Sequence, residues 1–395
     1  MEENRLGMKG TRLLLVVVTF SMFSTMVARL AISPVVPNII DSFDVSSSAI
    51  GLALTGMWAA YSLTQFPSGI LADRVGEYHV ILAALALTSI ASILVAISPS
   101  YILFVIFTIV LGAVAGLYFS PATSLLTAAF DETGQPLGIH SAGGPIAGLV
   151  APIITAAITL RFDWRAGLLW TASVSFIAFI LFKWYVTPVA SPASPDQARE
   201  QVKLATLLEL LSRPSIIYTS IIGTVGYFSW HAFATFFPTF LMEHGSIHPD
   251  TASTVFGLVF AFSIVGMPLL GRLSDSLSRE SVLAFSMVCC AAGFSALLVG
   301  IEFWNLAVGA VGLSFGISWT GVLNARYMDI FDRQEQGTGF GLVRTVVGIV
   351  SSSGSLVTGL LIDYSGWNSA YGLVVVLLLG CVSLIAANKL AGWGW

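Results

Sequence analysis

Twelve stretches of the chain are each long and apolar enough to cross a bilayer, and no other feature narrows the fold as far. A spanning helix needs about 20 mainly apolar residues. The runs 12–38, 48–70, 79–98, 101–126, 137–160, 166–187, 214–241, 251–271, 281–300, 303–325, 337–362 and 368–388 supply that length, several with enough to spare for tilt. Composition agrees: 56% of the 395 residues are hydrophobic and only 10% charged, too few charges to cover a water-facing surface. Mean hydropathy is +0.88. The expected fold is an all-α integral membrane protein of twelve transmembrane helices.

The run 187–213 breaks the rhythm. It opens rich in Pro, Ser and Ala, then carries most of the charges between the sixth and seventh spans, with room for a short surface helix. It divides the chain into a six-helix bundle at 1–187, a cytoplasmic linker at 188–213 and a second six-helix bundle at 214–395. With both termini inside the cell, 13 of the 17 Lys and Arg fall in cytoplasmic segments or at their helix ends. Arg161 and Arg165 fall outside, and Arg29 and Arg344 lie within spans. The positive-inside rule therefore sets cytoplasmic termini, and the expected location is the plasma membrane. The basic residues ahead of the first apolar run resemble a signal peptide's start, but that run is too long and reads as the first span. A formal charge of −4 gives nucleic acid no purchase. Cys289, Cys290 and Cys381 lie inside apolar runs without metal-ligand spacing, so neither metal nor cofactor is expected.

The two halves look duplicated. GILADRVG at 69–76 is answered by GRLSDSLS at 271–278, an offset of 202. Phe130-Asp131 and Gly138 return as Phe331-Asp332 and Gly339 at offset 201, and Trp164 returns as Trp367 at offset 203. Near-constant offsets across three features mark an internal repeat, and two equivalent halves about a midplane site suit alternating access.

Gly69-Ile70-Leu71-Ala72-Asp73-Arg74-Val75-Gly76 resembles the diagnostic loop of the major facilitator superfamily, G-x-L-A-D-R-x-G. The resemblance covers essentially the whole chain. It implies two pseudo-symmetric bundles, a transport function without enzymatic chemistry, and a small-molecule cargo. Gly69 and Gly76 allow close approach or unusual backbone angles, and Asp73 and Arg74 hold a tight cytoplasmic turn. The family's basic continuation is replaced here by Glu77-Tyr78-His79. In the second copy Asp275 is kept, while Ser278 stands for the closing glycine. Gly144 and Pro145, within GIHSAGGPIAG of the fifth span, look like the family's G-P-x-x-G element, often associated with exchangers. A packed, kinked helix explains the same residues. In the fourth span Thr108 stands where many members place an arginine, which argues against a standard proton-coupled mechanism.

No Asp or Glu lies well inside a predicted span, whereas basic and imidazole groups do. An ionisable residue in a span is a functional candidate by default. Ser21, Thr25, Arg29 and Ser33 form a polar stripe at four-residue steps. Adding 202 to each gives Gly223, Tyr227, His231 and Thr235. Arg29 and His231 thus hold equivalent positions on the first and seventh helices, which line the central cavity in the family. Arginine's fixed charge and five donors suit carboxylate, phosphate or similar anions, and His231 donates or becomes charged. The alternative for Arg29 is snorkelling or tying two helices, and for His231 an interhelical hydrogen bond. Nearer the cytoplasm, His140 and Arg344 form a second layer, Arg344 sharing a small polar face with Gly348, Ser351 and Ser355. Either histidine is a candidate for proton coupling. Trp58, Tyr61 and Gln65 make a stripe on the second helix that shapes a pocket, with Tyr118, Trp230, Trp319 and Asn324 as weaker candidates.

The leading function is secondary transport of a small organic or inorganic anion by alternating access, through exchange or proton coupling, by a carrier that needs only one copy in the bilayer. The alternative is efflux of neutral or amphipathic compounds, favoured by 26 Phe, 10 Trp and 10 Tyr. An intramembrane enzyme lacks support: there is no HExxH, no paired intramembrane acids and no Ser/His dyad.

Overall fold

The computed structural model describes residues 8–187, 209–332 and 336–394. Most of the expected linker, 188–208, lies outside the described residues. The first span is α1 (Met8–Leu30), a 3-10 turn (Ser33–Val35) and α2 (Val36–Phe43). Spans two to six are α3 (Ser47–Val75), α4 (Glu77–Ala96), α5 (Tyr101–Ala129), α6 (Gly134–Arg161) and α7 (Trp164–Tyr185). Spans seven to nine are α8 (Pro214–Glu243), α9 (Pro249–Ser276) and α10 (Arg279–Val299). The tenth is α11 (Phe303–Gly316) with α12 (Thr320–Ile330), and α13 (Gln336–Ala391) holds the last two, divided at Gly366 where φ is +77°. The protein is all-α, twelve spanning helices in two related sets of six, with no strand among the described residues.

Nine stretches among the described residues are apolar and long enough to cross a membrane, Gly339–Ala391 being two spans in one. α3 and α8 supply the remaining two. Their apolar runs are interrupted by Trp58, Tyr61 and Gln65 in α3 and by Tyr227, Trp230 and His231 in α8.

Two expected helices are interrupted. The run 12–38 stops being α-helical at Leu30, because Pro34 lacks the N–H that would bond back to Leu30 O, whereas Pro37 sits in the first turn of α2, where no N–H is needed. Val35 N–H bonds to Ile32 O at 3.2 Å, a 3-10 contact, before α2 begins. The run 303–325 breaks between Gly316 and Thr320, where Ser318 Oγ bonds back to Ser314 O at 2.7 Å.

By contact, described residues up to Val35 and from Gly56 to 187 form one compact unit. Val36–Thr55 and the residues from 209 onward form another. In the first, Val18, Met22, Ile81, Leu85, Tyr118 and Phe182 share one core. A Cβ on Gly143 of α6 would stand 2.8 Å from Thr19 O of α1, so this glycine sets how closely the two helices pack. The core of the second unit is aromatic: Phe233, Phe237, Phe256 and Phe260 interlock, and Tyr371 stacks on Phe294 with centroids 4.7 Å apart.

Candidate functional site

α1 brings Ser21, Thr25 and Arg29 to one face. The hydroxyls close onto their own helix, Ser21 Oγ to Val17 O at 2.8 Å and Thr25 Oγ1 to Met22 O at 3.0 Å, so their polarity is internally satisfied. Ser33 falls beyond the helix end, which shortens the expected stripe. Arg29 is 2% exposed. Its Nε donates to Thr25 O at 3.1 Å. Its guanidinium carbon lies 4.0 Å from the centre of the Tyr61 ring and 4.8 Å from that of Trp58, two rings of α3 set edge to face at 84°. Neither terminal nitrogen has a hydrogen-bond acceptor among the described residues.

The balance of energies explains why the charge is tolerated there. An arginine in a spanning segment costs up to about 2.5–3.5 kcal/mol on insertion scales, the full figure applying at the helix centre. Two desolvated cation–π contacts at about 1–2 kcal/mol each offset a cost of that size. The rings are nearly perpendicular and meet the cation from two directions, and its terminal nitrogens keep no hydrogen-bond acceptor among the described residues. The result is a caged cation whose two terminal nitrogens lack an acceptor among the described residues, which suits an oxyanion. Thr25, Arg29, Trp58 and Tyr61 therefore come together, with Gln65 half-buried one turn further along α3. Gly112 and Gly116 of α5 press against the Met57 and Tyr61 carbonyls, where any Cβ would overlap, and Thr64 Oγ1 donates to Ala113 O at 2.9 Å.

His140 is buried beside Tyr118 in the same unit. The Tyr118 hydroxyl has one proton and places it on Val18 O at 2.6 Å, so the 3.1 Å contact with His140 requires Nε2–H to donate to the Tyr118 oxygen. This hydrogen bond gives His140 an interhelical role.

In the second unit the candidates have separate partners. His231 is buried with its ring edge-on to Trp230 at 5.2 Å. Tyr227 packs on Trp319 at 4.8 Å, and Gly226 makes room for that indole. Thr235 and Ser355 join hydroxyls at 2.7 Å. Arg344 is half-buried, 5.9 Å from the Phe340 ring.

The loop motif works through its glycine. Gly76 adopts φ +88° and its N–H bonds to Ala72 O at 2.8 Å, closing the turn. Asp73 and Arg74 are exposed, and neither forms a hydrogen bond or ion pair among the described residues, so the turn does not depend on their charges. Gly69 lies against the Ser120 hydroxyl. In the glycine-proline run the close contact is at Gly143, whereas Gly144 meets only the flexible Met22 and Met26 side chains, and Pro145 is buried within α6.

Sequence reasoning missed the polar network of the second repeat. Glu280 pairs with Arg326 at 2.9 Å and accepts from Asn388 at 3.0 Å, while Arg326 Nε also reaches Thr219 Oγ1. Arg279 bridges Asp275 at 2.6 Å and Asp329 at 3.2 Å. A signal was present: Glu280 is Glu77 plus 203, and Glu77 accepts from Ser124 Oγ at 2.8 Å as Glu280 does from Arg326. Among the described residues no His, Cys, Asp and Glu group is arranged to hold a metal ion.

Comparison with known proteins agrees with the architecture. The family model of the Major Facilitator Superfamily matches twice, over residues 18–246 and 219–389. A hexuronate transporter of Bacillus subtilis (strain 168) is 24% identical, covering 91% of this chain and 89% of its own. A probable sulfoacetate transporter of Cupriavidus necator is also 24% identical, covering 95% and 93%. The crystal structure of a point mutant of the nucleoside transporter NupG superposes with a TM-score of 0.79 at 13% identity, covering 96% and 99%.

Proposed function

The chain belongs to the major facilitator superfamily, and on that premise we propose that this multi-pass transporter carries a small organic or inorganic anion by alternating access, with Arg29 receiving the charge. The observation that supports this most is the edge of the Arg29 guanidinium. Its terminal nitrogens are buried, without a protein acceptor among the described residues, and the group lies against Trp58 and Tyr61. Charge-assisted bonds from such a fork favour carboxylate, sulfonate or phosphate oxygens. The cargoes named for the two relatives, hexuronate and sulfoacetate, are both anions. His231, Tyr227 and Arg344, from the second half that begins at 214 after the linker, are proposed as further cargo-binding residues. Both termini face the cytoplasm of a plasma-membrane carrier acting as a single copy.

Exchange requires only that the loaded carrier reorients faster than the empty one. Proton coupling, where present, rests on His231 more than on His140, because His140 already donates to Tyr118. Binding of monocarboxylates, sulfonates, phosphate esters and nitrate to purified protein tests the proposal, with flux into proteoliposomes as the second measurement. Saturable anion uptake lost in Arg29→Ala supports it. Binding of only neutral or planar apolar compounds, with normal transport by Arg29→Ala, replaces it with the efflux reading.

A further inference from the structure

The first turns of α3 are fastened to the distant end of the eleventh span by residues that have no like counterpart in the other repeat. The first N–H groups of any helix lack intrahelical acceptors. Here Ser46 Oγ caps Ala49 N–H at 3.3 Å, an ordinary local cap. The two preceding donors are served from far along the chain. Ser47 N–H donates to Asp363 Oδ1 at 3.0 Å and Ser48 N–H to Asp363 Oδ2 at 2.9 Å. One turn along, a Cβ on Gly359 would stand 2.6 Å from Ser47 O, and one on Gly51 would stand 2.5 Å from Ser355 O, so backbone meets backbone. Another turn along, the Thr55 hydroxyl donates to Ser352 O at 2.9 Å and accepts from Leu356 N–H at 3.0 Å. Ser352 and Leu356 are four apart, so this hydroxyl sits across one rung of the α13 hydrogen-bond ladder. The seam therefore advances about one turn at a time, through Asp363, Gly359, Ser355 and Ser352 against Ser47, Gly51 and Thr55.

Three features set this seam apart from routine packing. The equivalent of Asp363, 202 residues earlier, is Arg161, a cation that cannot cap a helix start, and Gly51 and Gly359 correspond to Ser253 and Ala157. Burial alone would raise the Asp363 carboxyl, but hydrogen bonds from Ser48, Ser46 and Ser47 hold it below its ordinary value, so the cap is ionised at neutral pH. Finally, α3 is one helix whose first turns belong to the second unit, while from Gly56 it belongs to the first and carries Trp58 and Tyr61. Counting crossings places Ser47 and Asp363 on the face opposite the termini.

We propose that Asp363 is a positioning residue: its carboxylate latches the start of α3, and release of that latch sets how readily the face opposite the termini opens during transport. The latch rests on the alternating-access reading and not on the identity of the cargo. It acts on α3, the helix that also carries Trp58 and Tyr61.

The test uses full-length protein in liposomes without added anion, carrying Ser352→Cys, and follows the new thiol's reaction with a membrane-impermeant reagent added on the face opposite the termini. The native cysteines, read from protein without Ser352→Cys, give the background. Asp363→Ala is expected to raise the labelling rate about fivefold or more, and Asp363→Glu, which keeps the carboxylate, to return most of the way. Gly51→Ala, which forces the seam apart without touching the cap, is expected to act in the same direction. Melting temperatures taken in parallel separate seam opening from general unfolding. If Asp363→Ala does not fold, the Gly51→Ala result decides. Labelling unchanged by Asp363→Ala and Gly51→Ala in folded protein overturns the latch. Because no anion is present, that result leaves the cargo assignment standing, and failure of anions to bind leaves the latch standing.

Discussion

The Arg29 guanidinium carbon sits 4.0 Å from the centre of the Tyr61 ring while Arg29 Nε is bonded to Thr25 O, which leaves the two terminal nitrogens without an acceptor among the described residues. Lysine keeps the charge but has neither a flat face for the ring nor paired donors. Arg29→Lys should weaken anion binding about 10- to 100-fold, the size of one or two charge-assisted hydrogen bonds. Calorimetry on purified protein, or competition against a labelled anion, measures it. Retention of full affinity would remove the fork from the mechanism.

Tyr61 serves through its ring. Tyr61→Phe preserves the stacking surface and should change binding little, while Tyr61→Leu removes a contact of about 1–2 kcal/mol and should lower both affinity and melting temperature. A Tyr61→Phe defect as large as that of Tyr61→Leu would show instead that the hydroxyl matters.

His140 and Tyr118 form a pair with a fixed direction. Tyr118→Phe strands the Nε2–H of a buried imidazole at a cost of about 1–2 kcal/mol, so the protein should melt at lower temperature. The pH dependence of uptake should keep its shape in this variant, because the pair is structural. A displaced pH profile would return His140 to the proton path.

Glu280 and Arg326 are a half-sheltered ion pair, their side chains 21% and 12% exposed. Removing one partner leaves the other poorly solvated, so Glu280→Gln or Arg326→Gln should each cost about 2–3 kcal/mol. The double variant should lose clearly less than the two together. Strict additivity in thermal unfolding would mean the pair contributes nothing.

The Asp363 carboxyl is held below its ordinary value, so the capping contribution is fully present above the unfolded-state value, about 3.9, and fades as pH falls through the lower folded value. The stability difference between the native protein and Asp363→Ala should be constant from about pH 5 to 8 and shrink only below about pH 4. Melting curves across that range check it. A difference that disappears near neutrality would place the carboxyl in another environment.

Much of the architecture can be read from local pattern. Spans appear as apolar runs, the repeat as constant offsets, and the turn at Gly76 as a glycine closing a short motif, because each is determined by neighbours in sequence. Arg29 stands out because a lone cation in an apolar run is conspicuous. What the pattern cannot supply is the pairing across helices. Trp58 and Tyr61 were visible as a stripe on their own helix, but nothing in either stretch says that they stack on Arg29. The glycine-rich run of α6 did not reveal which glycine faces α1, since one residue rotates the helix by about 100° and moves the contact from Gly144 to Gly143. The bond from Ser47 to Asp363 joins residues 316 apart and has no local signature.

Gly112 and Gly116 give α3 its seat against α5 at the turn bearing Trp58 and Tyr61. A methyl group at either position would have to displace main chain, and the aromatic walls would travel with it. With Trp58 and Tyr61 in the proposed site, selectivity becomes adjustable from the rear wall, through glycines packed against main chain.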